Sequence, residues 1–200
     1  MAYSDFSLAS VKKALNLTIS QRQDLFSAVP ALECSNHLTE TLAYNVPFAL
    51  ASNTEKSRSE MIITPILLEL TKQFPDRISL FSGVDFTVDS DLGLNGNCHF
   101  LISRSVEFLM VSAPAILIVE AKKENINAGL GQCVAEMYAA QLFNERDGNQ
   151  VSRIYGVVTT GEIWKFLMLE GQAVPIDLLE YFLNQVDKIL GILAIGIQNG

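Results

Sequence analysis

The sequence predicts an α/β (α+β) fold, with one central mixed β-sheet flanked by helices. Three observations predict it. Up to Phe74 the apolar residues recur at helical spacing, whereas from Leu80 they alternate with polar ones. Ala115 to Ala121 (AILIVEA) is a continuous, β-branched-rich apolar run, the pattern of a strand buried on both faces. The resulting order, helices and then β-β-β-α-β-β-α, packs most economically as one sheet covered by helices.

The elements follow in turn. Leu8, Val11 and Leu15 mark a helix over Phe6 to Leu17, with Ser7 as its N-cap. A second helix runs through HLTETLAYNVPFALA and stops near Pro47 or shortly after. Thr54 to Phe74 reads as a longer helix. Met61, Ile62, Ile66, Leu67, Leu70 and Phe74 form its apolar face, and Pro65 predicts a kink. Leu80 to Val88 is a strand, Asp91 to Gly96 supplies turn chemistry, and NCHFLIS returns as the second strand of a hairpin. After the AILIVEA strand, Gly129 and Gly131 mark the opening of a helix that reaches about Phe143. RIYGVVTT and IWKFLML are two more strands around Gly161, and Pro175 to Ile197 reads as the last helix.

A chain of 200 residues fits a single domain, 1–200. Within it we expect a helical N-terminal addition over 1–53, a core over 54–170 and a C-terminal helix over 171–200. Charged residues are only 18% and hydrophobic ones 49%, which excludes disorder as a description of the whole. The net charge of −8 excludes a broadly basic nucleic-acid coat. Cys34, Cys98 and Cys133 have no paired spacing, so reduced thiols are expected rather than a disulfide framework. Neither a signal core nor a membrane-length apolar run is seen, which predicts a soluble, cytoplasmic protein with no membrane partner. The low charge and the Ile- and Leu-dense C-terminal helix suggest a homodimer formed through that helix.

Chemistry concentrates in PAILIVEAKK. A strand ending in Glu120-x-Lys122 puts both side chains on one face. The carboxylate is suited to a hard divalent cation, and the lysine to a metal-bound water or a phosphate. Glu60 lies on the long helix before the sheet, where it can direct a second carboxylate at the strand end. His99 lies on the returning hairpin strand, where a metal site would take its next ligand. Gln132 and Glu136 are four apart and share a helix face. A solvated helix face for Glu60, a structural histidine and a surface glutamine are the plainer alternatives. P-loop, Rossmann, zinc-ligand and GxSxG patterns are all missing.

Helix Glu, β-hairpin, apolar strand ending in Glu-x-Lys, then a Gln-bearing helix resembles the PD-(D/E)XK nuclease superfamily. The stretch ILIVEAKKENINAGLGQCVAEMYAAQLFN is similar to its small stand-alone members and to the N-terminal nuclease domain of type I restriction-enzyme R subunits. The resemblance covers roughly Glu55 to Leu169. It implies a restriction-endonuclease-like α-β-β-β-α-β core and Mg²⁺- or Mn²⁺-dependent hydrolysis of nucleic-acid phosphodiesters, usually DNA. It assigns catalysis to Glu60, Glu120, Lys122 and Gln132, and metal binding to Glu60, His99, Glu120 and the Ala121 carbonyl.

One position departs from the family pattern. His99, in Cys98-His99-Phe100, stands where the family carries its metal-binding aspartate. Imidazole suits Mn²⁺ or softer ions better than Mg²⁺, and the cage loses a negative charge. The departure leaves two readings, an endonuclease or a catalytically inactive nuclease-fold module for nucleic-acid binding or protein assembly. The overall acidity opposes neither, because the excess acid lies outside the motifs. Thr54 to Leu80 and Leu101 to Asn125 each carry balanced charge.

Overall fold

The structure is a computed structural model and describes residues 1–198. In chain order its elements are α1 (Leu8–Ala14), β1 (Thr18–Gln23), α2 (Asn36–Ser52), α3 (Glu55–Arg58) and α4 (Thr64–Gln73). The hairpin strands β2 (Ser79–Asp85) and β3 (Asn97–Ser103) follow, then β4 (Ala115–Ala121) and α5 (Ile126–Arg146). The chain continues through β5 (Ile154–Thr159), β6 (Ile163–Leu169), β7 (Ala173–Asp177), β8 (Tyr181–Phe182) and α6 (Val186–Gln198).

The eight strands form one open mixed sheet in the order β1-β7-β6-β5-β4-β3-β2, with β8 beside β6. Strands β4 and β5 are parallel because α5 provides the crossover between them, and β1 and β7 are also parallel. The remaining pairs are antiparallel. All seven residues of β4 are buried, as a central strand between covered faces requires. One apolar cluster joins the sheet to α2, α4 and α6, and the other joins it to α1 and α5. The α/β class and the mixed, helix-flanked sheet expected from the sequence are therefore present.

The helix expected over 54–74 is a continuous run interrupted by a π turn at Ser59–Ile63, immediately before Pro65. Proline has no N–H to give the carbonyl of Met61. Asn45 Nδ2 donates to that oxygen instead, at 3.1 Å. Helix α2 passes through Pro47 and ends at Asn53, a left-handed C-cap.

Two expectations need correction. The N-terminal addition is not purely helical, since α1 stops at Ala14 and β1 adds a strand beside β7. The sequence TISQRQ is too polar to show the period of a buried strand. The C-terminal helix expected from residue 171 or 175 begins only at Val186, after β7 and β8. The buried Asp177 carboxylate accepts from Leu25 N, Leu179 N and Tyr181 Oη, which fixes this stretch in extended and turn conformations. Asn199 and Gly200, also included in that expected helix, lie outside the described residues.

The C-terminal helix was also the element expected to carry a homodimer interface. Ile189, Leu190, Ile192, Leu193, Ala194 and Ile197 of α6 are buried in the chain's own core. The apolar density that suggested an intermolecular interface thus has an intramolecular use. Among the described residues, no helix is long and apolar enough to cross a membrane.

Candidate functional site

Glu120 is the penultimate residue of β4, and its side chain is fully buried. Backbone pairing continues one residue past the strand, where Lys122 N donates to Thr159 O at 2.8 Å. That extended backbone keeps Glu120 and Lys122 on one face, and Lys122 Nζ lies 2.6 Å from Glu120 Oε1. Lys122 Nζ also donates to Gln132 Oε1 at 3.2 Å, and Gln132 Nε2 donates to Glu136 Oε1 at 3.1 Å.

Gln132 was expected at a helix start. Instead α5 begins at Ile126, capped by the Asn125 side chain, so Gln132 lies well inside the helix. It acts as a bridge between Lys122 and Glu136 rather than as part of a helix-terminal anion site. Glu136 is buried, and its Oε2 has no hydrogen-bond partner among the described residues. Burial, aided by the nearby Glu120 charge, pushes its pKa well above the usual carboxylate range.

On the opposite side of Glu120, His99 reaches in from β3. Its Nδ1 is 2.7 Å from Glu120 Oε2, and its Nε2 is 3.3 Å from Glu55 Oε1. Glu55 is the first residue of α3, directly after the Thr54 N-cap. The structure therefore joins Glu55, His99, Glu120, Lys122, Gln132 and Glu136 into one polar chain, running from a helix start to the interior. Sequence reasoning missed Glu55 as a site residue. The available signal was the N-cap at Thr54, which places the adjacent acid at the helix end facing the hairpin.

Glu60, the acid expected on this helix, sits on the π turn and pairs with Lys56 at 2.7 Å, with both side chains largely exposed. It lines a cavity of about 280 Å³ together with Glu55, Lys56, Ser59 and His99, but it makes no contact with Glu120. Ala121 is the buried last residue of β4, paired with Thr159. Asp85 accepts from Thr87 N and Asp89 pairs with Arg146, so neither joins the strand-end cluster.

These contacts decide how well the site suits a divalent cation. Glu120 Oε2 faces His99 Nδ1, and Oε1 lies against the Lys122 ammonium as an ion pair without a directed hydrogen bond among the described residues. A carboxylate stands at each imidazole nitrogen, and both contacts are favourable only when both nitrogens carry hydrogen. Such a ring has no lone pair for a metal. Consistently, the hydrogen bond to Glu120 raises the His99 pKa. Burial opposes that rise, and the Glu120 and Glu55 charges add to it. Among the described residues, no group of three or more His, Cys, Asp and Glu side chains is arranged to hold a metal ion. The donor set does not fit the Mg²⁺ or Mn²⁺ that the family resemblance implies.

Compared with known proteins, the chain matches no protein-family model. No curated protein matches it.

Proposed function

We propose that the chain is a nuclease-fold module of the PD-(D/E)XK type that engages nucleic acid at the Glu120–Lys122 strand end without cleaving it. The fold supports this reading through its order of helix, three strands, helix and strand from α3 to β5. The observation that carries the loss of cleavage is the 2.7 Å contact between His99 and Glu120. It occupies the carboxylate that a phosphodiesterase of this type uses to hold its metal. Lys122 is the phosphate-facing cation, since its ammonium pairs with Glu120, donates one hydrogen bond to Gln132 and keeps part of its surface in solvent. Gln132 and Glu120 orient it.

The test is incubation of the purified chain with labelled single- and double-stranded DNA and RNA, in Mg²⁺ and in Mn²⁺. Wild type is expected to bind without cutting, and Lys122→Ala to bind more weakly. Metal-dependent cutting that disappears in Lys122→Ala would establish the endonuclease reading instead. Binding that is undetectable, or indifferent to Lys122→Ala, would refute the nucleic-acid role.

A further inference from the structure

We infer that the chain binds a second copy of itself through two unlike surfaces. The apolar loop between β3 and β4 of one copy seats in an apolar hollow between α2 and the start of α6 of the other. The contact goes beyond the nucleic-acid reading and uses no residue of the strand-end cluster.

One surface is the loop. Val106, Phe108, Leu109 and Met110 are each at least 61% exposed, and Leu109 is 93% exposed. Four exposed apolar side chains within five residues mark a contact surface. The loop is nevertheless held in shape. At its base Arg104 N donates to Pro114 O at 2.9 Å, and Ser103 Oγ donates to Ser112 O and Pro114 O. Near its tip Glu107 Oε1 accepts from Leu109 N at 2.9 Å. The apolar side chains thus point outward from a preformed knob, whose docking costs little ordering entropy.

The other surface lies on the same chain. Leu42, Ala43, Val46 and Pro47 of α2, with Leu183 and Val186, line a hollow of about 480 Å³. It adjoins a second hollow of about 520 Å³, with which it shares Val46, Leu183 and Asn184. Charge matches as well as polarity. The Ser79–Ser103 pairing of β2 and β3 brings Arg77 and Arg104 to the foot of the loop. Arg104 Nε is buried with no hydrogen-bond partner among the described residues, and burial together with the Arg77 charge lowers the Arg104 pKa. An incoming carboxylate relieves both arginines. The receiving surface offers Glu162, which lines the second hollow and pairs with Arg58 through one oxygen, and Glu40, one helical turn from Ala43.

A chain cannot fill its own hollow. The loop joins the end of β3 to the start of β4, whereas β8, which leads into the hollow, pairs with the start of β6 beside the ends of β5 and β4. The length of β4, about 20 Å, separates these two ends of the sheet. The match is therefore between copies, which either close reciprocally in pairs or continue head to tail.

Sedimentation velocity from micromolar to near-millimolar protein tests this. The average mass of wild type is expected to rise with concentration, and Leu109→Asp and Ala43→Arg should each weaken association at least about tenfold. Both positions are exposed, so each variant should melt as wild type does. An equimolar mixture of the two variants is decisive, because one brings an intact hollow and the other an intact loop. It should form dimers containing one copy of each, and nothing larger. Wild type that stays monomeric overturns the inference, as do folded variants that associate like wild type or a mixture that does not pair. Wild type that is monomeric alone but sediments with phosphatidylglycerol vesicles through Leu109 gives the loop to a lipid surface instead. Should Ala43→Arg not fold, Asn184→Arg, at an exposed position of the same hollow, takes its place with the same outcomes.

Discussion

His99 sets the character of the cleft, and its environment makes a prediction that needs no ligand. The hydrogen bond to Glu120 is the main reason its pKa is raised. Partial burial works against the rise, the Glu120 and Glu55 charges add to it, and the Lys122 charge opposes it. By linkage, a raised folded-state value contributes stability that is fully present below the unfolded value of about 6.5 and is lost as pH rises through the folded value. About a third of the side chain stays in solvent, so screening keeps this contribution modest. In a proton NMR titration, the ring resonances of His99 should titrate with a midpoint above about 6.5. Glu55→Gln should lower that midpoint while the Glu120 contact remains. Urea melts of wild type and His99→Asn should differ most below the midpoint and converge above it. A midpoint at or below the ordinary histidine value would mean that the two carboxylates do not grip the ring.

At the scale of elements, Gly131 shows how α5 and the N-terminal segment fit together. A Cβ at Gly131 would lie 2.3 Å from the Phe6 carbonyl oxygen and 2.4 Å from the Ser7 carbonyl carbon, so backbone would have to move. Alanine gains about 1 kcal/mol over glycine in helix propensity. Displacing packed backbone costs about 1–3 kcal/mol and offsets that gain. Gly131→Ala should therefore lower the urea midpoint, whereas a midpoint above wild type would mean that the N-terminal segment packs loosely. This contact also marks the limit of what the sequence showed. The strand β4 was legible because every residue in it is buried, and an unbroken apolar run records that directly. The helix α5 was legible in existence but not in its start, because two glycines looked like a boundary when at least one of them serves close packing. Strands β7 and β8 were hidden because Leu178, Leu179 and Phe182 recur at helical spacing, although all three are substantially exposed. At the site, Glu120, His99, Lys122 and Gln132 were legible from strand alternation and helix periodicity. Glu55 was hidden because the π turn at Ser59–Ile63 breaks the helical register between it and the apolar face that follows, while the more prominent Glu60 turned to Lys56.

For the whole molecule, charge sets the strength of any nucleic-acid contact. The net charge is −8, yet the two segments that carry Glu55, Glu120 and Lys122 are balanced, so binding must rest on a few local cations. Around the strand end these are Lys56, Lys122 and Lys123, and each already faces an acid, namely Glu60, Glu120 and Glu124. Each phosphate neutralised on duplex DNA adds about −0.9 to the slope of log affinity against log salt. Contacts through these three lysines alone give a slope no steeper than about −3, far shallower than for proteins that coat the duplex with basic residues. Fluorescence anisotropy of labelled duplex across a salt series measures it. A slope within this limit, made shallower by Lys122→Ala, fits a contact at the cleft. A steeper slope would require more cations than the strand end holds, and would move the contact to another face of the protein.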